Sequence, residues 1–331
     1  MSSHLLRAEL RRFRSRRLVI VALLVALAGG GFTAWTMYQS AKPLSGESLV
    51  AAQSAYDSEV TRWEATGDEQ IADCEEQQQA MRDELGDPSV DYACSQMEPQ
   101  LSWFFPEPVP LESSLRRVLG AVAYLLLFTA LLAGATGTAA DLSSGGTSTW
   151  LTFEPRRGRV FTSKLSAIGL SLIIPSALVA AVSLGSVYLL YRNGSLSTAV
   201  PESAWVDLAW TGGRTLGLVI VAGLTGAALG FLLRHTGAVL GVFIGYFILV
   251  EGILANSWNL VKPWAILVNV QAWLQGSADY STTMCTSDAT GTTCDGVVHT
   301  LSGMHGGIYL GTITLVTITL AALVFRRRDV A

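Results

Sequence analysis

The chain has 331 residues, 50% of them hydrophobic and only 15% charged, with a net charge of −4 and a mean hydropathy of +0.41. Soluble domains carry about 25% charged residues, whereas here the apolar residues gather into runs of about 20, the length that crosses a bilayer's hydrocarbon. That excludes a soluble enzyme, a disordered chain and a disulfide-stapled mini-protein, and the net charge acquires meaning only when divided between two sides of a membrane.

In chain order, residues 1–17 come first and are strongly basic. Arg7, Arg11, Arg12, Arg14, Arg16 and Arg17 surround Leu6, Leu10 and Phe13 at helical spacing. The pattern predicts an N-terminal interfacial elbow helix along the inner leaflet, able also to touch a cytoplasmic partner. The first span is 18–38. A basic approach to an apolar run also opens signal peptides, but this run is too long and lacks a well-placed small-x-small cleavage site, so it reads as a retained anchor.

Residues 39–116 read as an acidic extracytoplasmic helical cap. Up to Glu112 it holds sixteen Asp and Glu against Lys42, Arg62 and Arg82. Leu49, Ala52, Tyr56, Val60 and Trp63 mark one amphipathic helix. Ile71, Cys74, Met81 and Leu85 mark a second, closed by Gly86 and Pro88. Trp103-Phe104-Phe105, among prolines, suits an outer headgroup belt.

The second span is 117–137, followed by a cytoplasmic loop over 138–165 and a third span over 166–191 that contains Pro175. A short outer loop (192–211) leads to the fourth span (212–233). Only a tight turn at Arg234 and His235 separates that from the fifth (237–255). Residues 256–306 carry Trp258, Trp264 and Trp273 around an apolar middle broken by Lys262-Pro263, which predicts a re-entrant or interfacial outer segment. The sixth span (307–325) and a tail (326–331) close an all-α, polytopic membrane protein with six transmembrane helices.

Fourteen of the 22 Lys and Arg fall on one face in this scheme: the six N-terminal arginines, Arg156, Arg157, Arg159, Lys164, Arg234, Arg326, Arg327 and Arg328. The positive-inside rule makes that face, and both termini, cytoplasmic. All four cysteines then lie outside. Cys74 with Cys94, and Cys285 with Cys294, pair locally as two disulfides on an oxidising face.

Small residues recur every fourth position at Gly213 and Gly217, at Gly226 and Gly230, at Gly237, Gly241 and Gly245, and at Gly303, Gly307 and Gly311. Such stripes allow close helix approach, within one subunit or at a dimer seam. Glu251 is the one acid deep in a span, where a charge costs about 2.5–3.5 kcal/mol on insertion scales. Counting about 1.5 Å of rise per residue from the tight turn brings it within about 8 Å in height of Arg214, and an intramembrane charge pair is expected.

No G-x-x-x-x-G-K-[ST] occurs, so the chain has no P-loop of its own, and H-E-x-x-H, C-x-x-C and G-x-S-x-G are equally absent. Intramembrane charge is too scarce for a relay of buried acids. Such a membrane protein is passive, structural or driven by a partner.

The cytoplasmic loop carries the most specific pattern. Asp141 is followed by Gly146-Thr147, then an apolar stretch, then Pro155-Arg156-Arg157, and Lys164 opens the next span. This order resembles the permease subunits of bacterial type-2 ABC exporters, in which a Glu is commoner at the place of Asp141. Residues Phe325 to Asp329 resemble that family's ending.

The resemblance implies a non-catalytic membrane subunit in the bacterial cell membrane that binds no cofactor itself. ATP and magnesium would sit on a separate cytoplasmic P-loop ATPase in two copies. A second permease or a paralogue would complete the pathway. Membrane lipids, and no nucleic acid, complete the implied partners. The loop would couple to the ATPase through Asp141, Glu154, Arg156, Arg157 and Arg159, with Trp150, Phe153 and Phe161 as anchors. The implied cargo is an amphipathic, lipid-like or peptide-antibiotic molecule moved outward. The alternatives are export of ions or small solutes by the same engine, or a non-transporting sensor or immunity subunit whose outer cap binds a ligand.

Overall fold

The structure is a computed structural model. It describes residues 3–14, 16–87, 90–105, 107–146, 152–153, 156–194, 196–288 and 291–327, with the side chains at 3–6, 14, 285–288 and 291–295 excepted. In chain order the elements are α1 (Ser3–Arg14), α2 (Arg17–Ala41), α3 (Glu47–Leu85), the single turn α4 (Leu101–Phe104), α5 (Leu111–Ser143), α6 (Arg157–Asn193), α7 (Glu202–Leu233), α8 (Thr236–Ser257), α9 (Ile266–Gln275), strands β1 (Ser277–Asp288) and β2 (Gly291–Ser302), and α10 (Gly303–Arg327). Among the described residues, six of these helices (α2, α5, α6, α7, α8 and α10) are long and apolar enough to cross a membrane.

Two compact units are present. The first comprises Met1–Tyr38, Pro110–Thr282 and Val298–Ala331 and contains the long helices. Its centre is the pair α5 and α7, whose glycines let the backbones meet. A Cβ on Gly134 would overlap the Gly223 carbonyl, and one on Gly226 would overlap the Leu131 carbonyl. Thr138 Oγ1 donates across the pair to the Ala227 carbonyl at 2.8 Å. The glycines at 226 and 230 therefore pack inside the subunit, as small-residue stripes do where no hydrophobic effect drives helices together. The row Gly237, Gly241 and Gly245 on α8 has nothing within 4 Å of an added Cβ.

At one end of this unit Phe161, Phe231 and Phe325 join α6, α7 and α10, with ring centroids 4.8–6.0 Å apart. The turn between α7 and α8 is tight, as expected: Arg234 adopts the left-handed conformation (φ 57°) and its N–H closes α7 on the Gly230 carbonyl.

The second unit, Gln39–Val109 with Thr283–Val297, is built on α3. The two helices expected over 49–63 and 71–85 are one helix of 39 residues. Gly67 does not interrupt it. A glycine costs a helix only about 1 kcal/mol, and this one is buried beneath the Trp63 ring, which a Cβ would strike at 2.8 Å. After the left-handed Gly86 the chain runs back along α3. Arg82 Nε donates to the Val90 carbonyl at 2.8 Å, Gln78 Oε1 accepts from the Tyr92 N–H at 2.7 Å, and Tyr56 meets Phe104 edge-on. The expected Cys74–Cys94 disulfide is formed, with Cα atoms 5.8 Å apart. The side chains of Cys285 and Cys294 lie outside the described atoms.

The segment 256–306, expected as a re-entrant or interfacial stretch, departs most from expectation. It contains the short helix α9, but β1 and β2 pair as a two-stranded sheet, so the fold is not wholly α. The cause is legible in composition. Residues 277–302 hold seven Thr and two Val with few helix formers, and β-branched residues pack best on a pleated surface.

Candidate functional site

Two places in the first unit gather polar groups among apolar helices. One is a buried charge cluster where α1, α2, α5 and α6 meet. Asp141, in the last turn of α5, is 3% exposed, and Lys164 of α6 is 2% exposed. The Lys164 ammonium pairs with Asp141 and, at 3.3 Å, with Glu9 of α1. Arg16 reaches the other Asp141 oxygen at 2.5 Å and donates to the Thr136 carbonyl at 2.8 Å. Arg12 lies 3.4 Å from the same oxygen.

Phe13 is buried alongside, its ring 3.0 Å from where a Cβ on Gly137 would stand. The enclosed void is only about 10 Å³, no more than one water needs, so the cluster holds the fold together and has no room for a ligand.

The implied coupling residues separate accordingly. Asp141 is sealed in this cluster and Phe161 is buried in the aromatic trio, so neither is available for docking. Phe153 is 83% exposed, and Arg156 and Arg159 are exposed. Arg157 donates to the Arg326 carbonyl at 3.5 Å. Trp150 and Glu154 lie outside the described residues. Glu9, Arg16 and Lys164 were not singled out as site residues. Lys164 figured only as the residue that closes the loop pattern and Arg16 only as one of the N-terminal arginines, while Glu9 was an acid within a basic helix, with nothing to show that the three converge.

The second place surrounds α9. Glu251 lies in a stretch of α8, Phe247–Leu254, wound as a π-helix. Its Oε1 accepts from the Leu267 N–H at 3.0 Å and from the Tyr246 hydroxyl at 3.2 Å, and that hydroxyl accepts from the Ile266 N–H at 3.1 Å. The N-cap residue of α9 is Ala265, which has no side-chain acceptor. The acid and Tyr246 of α8 thus cap α9 from a neighbouring helix, each accepting from one otherwise orphaned N–H.

At the other end of α9, Gly276 is left-handed (φ 93°), and the Arg214 guanidinium lies against it, 3.2 Å from where a Cβ would stand. The Trp273 indole donates to the Arg214 carbonyl at 2.9 Å. Glu251 and Arg214 therefore do not pair with each other. They stand at opposite ends of one short helix, acid at the positive end of its dipole and base at the negative end. The expected pair failed because counting rise along two helices gives height but not azimuth. The π-helix, with its wider turn, shifts the face on which Glu251 emerges.

Glu251 also lines an open groove of about 760 Å³ with Tyr124, Phe128, Phe247, Asn256, Lys262, Gln271 and Tyr280. Asn256 Nδ2 donates to the Gly252 carbonyl at 2.8 Å, satisfying part of the π segment, and Lys262 Nζ donates to the Ser281 carbonyl at 2.6 Å. Buried Asn269 donates to the Pro263 and Ala265 carbonyls, which fixes the turn into α9. Tyr309 of α10 donates to the Trp264 carbonyl, and glycines 303, 306 and 307 seat α10 against α9. The groove can hold a molecule with both polar and apolar parts. Among the described residues no cluster of metal ligands is present.

No protein-family model, curated protein or solved structure matches this chain.

Proposed function

We propose that the chain is the membrane-spanning permease subunit of an ATP-driven exporter, with the arginine-rich face and both termini in the cytoplasm of a bacterial cell. A separate P-loop ATPase, present in two copies, docks on the loop between α5 and α6. A second permease copy or a paralogue completes the pathway, and an amphipathic, lipid-like or peptide-antibiotic cargo moves outward.

One observation carries this reading. Asp141 and Lys164 stand at the two ends of that loop and are locked to each other and to α1 in one buried cluster. A push on the loop then displaces α1, α5 and α6 together instead of being absorbed by flexible chain. Exposed Phe153, Arg156 and Arg159 offer an aromatic anchor and positive charge for a partner's groove. The ordered Asp141, Gly146-Thr147, Pro155-Arg156-Arg157 and Lys164 pattern supports the same reading.

The test is co-purification with an ATPase encoded beside the chain, followed by ATP turnover in the reconstituted complex. Arg156→Glu combined with Arg157→Glu is expected to insert normally yet lose ATPase binding and stimulated turnover. Wild-type binding and turnover in that double variant would dispose of the docking role.

A further inference from the structure

We propose that the groove beside α9 binds a zwitterionic amphiphile: an ammonium at Glu251, a phosphate at Lys262, and an apolar chain over Phe128 and Phe247. The binding chemistry stands on the groove itself and does not depend on the exporter reading.

The groove brings one acid and one base into a single open space of about 760 Å³. Among the described residues neither forms an ion pair. Glu251 spends only Oε1 on its two donors, and Lys262 spends one donor on a carbonyl. Both side chains are half-buried, so each charge is poorly hydrated and gains from an opposite charge. A molecule with a single charge would satisfy one and leave the other. A zwitterion satisfies both, and the neutral amides of Asn256 and Gln271 add hydrogen-bond capacity.

The floor is apolar. Phe128, Phe243 and Phe247 pack with centroids 4.7–5.7 Å apart, and Phe243 and Phe247 also border a half-open apolar space of about 70 Å³ lined by Leu127, Leu131, Leu218 and Leu310. Aromatic faces also favour a quaternary or primary ammonium.

The full chain in neutral maltoside micelles is titrated with fluorescent lysophosphatidylcholine as the zwitterionic probe. An alkyl phosphate and an alkyltrimethylammonium of equal chain length serve as competitors. The zwitterion is expected to bind tightest. Glu251→Gln retains an acceptor for the Leu267 N–H, so it should preserve the fold while weakening zwitterion and cation about tenfold and sparing the anion. Lys262→Gln should weaken zwitterion and anion about tenfold and spare the cation. Should Glu251→Gln fail to fold, Lys262→Gln still decides. Probe binding no tighter than that of a neutral amphiphile, or variants that affect all three probes alike, overturns the proposal.

Repeating the titration in phosphatidylcholine and phosphatidylglycerol discs names the source. Loss only in phosphatidylcholine identifies a bilayer lipid and retention in both a free amphiphile, each supporting the headgroup chemistry. Loss in both overturns it. A chain that binds its ATPase but no probe loses the groove and keeps the exporter reading, and the reverse result does the opposite.

Discussion

Lys164 and Asp141 are both almost fully buried, and each satisfies the other. Taking two charges from water is costly, and their mutual attraction offsets that only when geometry and further hydrogen bonds are good. Here Arg16, Glu9 and the Thr136 carbonyl supply those bonds. Removing one partner strands the other. Lys164→Met is therefore expected to lower stability by about 3–5 kcal/mol, read as thermal unfolding of the detergent-solubilised chain. The Lys164→Met, Asp141→Leu double variant should be less impaired than the sum of the singles. Strictly additive losses would show that the two charges do not depend on one another. Neither residue's burial was legible in the sequence, because each sits at the edge of an apolar run where a charge more often faces water. Glu251 was singled out correctly as unusual but given the wrong partner. Its true partners are the Leu267 N–H and the Tyr246 hydroxyl, neither of which carries a formal charge to match.

Among the elements, the glycine rows divide into two kinds that spacing could not distinguish. Gly226 is closed against the Leu131 backbone, whereas Gly241 faces open space. Gly226→Leu is expected to force α5 and α7 apart and to abolish the folded monodisperse peak in size-exclusion chromatography. Gly241→Ala should leave that peak in place, with a gain of about 0.5–1 kcal/mol in monomer stability from helix propensity. A change of oligomeric state on Gly241→Ala would place the α8 row at a seam between copies. A folded Gly226→Leu protein would contradict the close packing described above. The long α3 is a case of the opposite kind. Two amphipathic patterns were expected where one helix runs through, with Trp63 covering Gly67 near its middle, and the disulfide between Cys74 and Cys94 clamps the returning chain with about 2–4 kcal/mol by closing a loop of 20 residues.

For the whole molecule, the charge asymmetry makes a topological prediction independent of any transport assay. On intact cells, a cysteine placed at exposed Phe153 should resist a membrane-impermeant thiol reagent until the membrane is opened, and one placed at Ser197 should react at once. The background for this is the chain with all four cysteines replaced by serine. Labelling of both positions, or of neither, from outside would contradict the six-span arrangement, and labelling of the Phe153 position alone would invert it. The same arrangement explains the large exposed apolar area on α2, α8 and α10, where only 11–22% of the apolar window is buried within the chain. In water such surface would aggregate, whereas a bilayer would cover it without penalty.

The number of the long helices, the tight turn at Arg234 and the Cys74–Cys94 bridge could all be read from the chain itself, whereas the helices run on beyond their apolar spans, as α5 does over Leu111–Ser143. Hydrophobic length, turn-forming residues and short sequence separation are local properties, each decided within a few turns of backbone. The β1–β2 hairpin has a local signal too, in its threonines and valines, but the broken apolar stretch before it reads as a re-entrant or interfacial segment. Only the tertiary structure decided which polar side chains meet. Glu9 with Lys164, Arg16 with Asp141, and Glu251 with the first turn of α9 are contacts between elements far apart in sequence. Their formation depends on the rotation of each helix about its axis. A hydrophobic run that is apolar all round carries no mark of that rotation, so burial by neighbouring helices, and a π-wound turn in α8, had to set it.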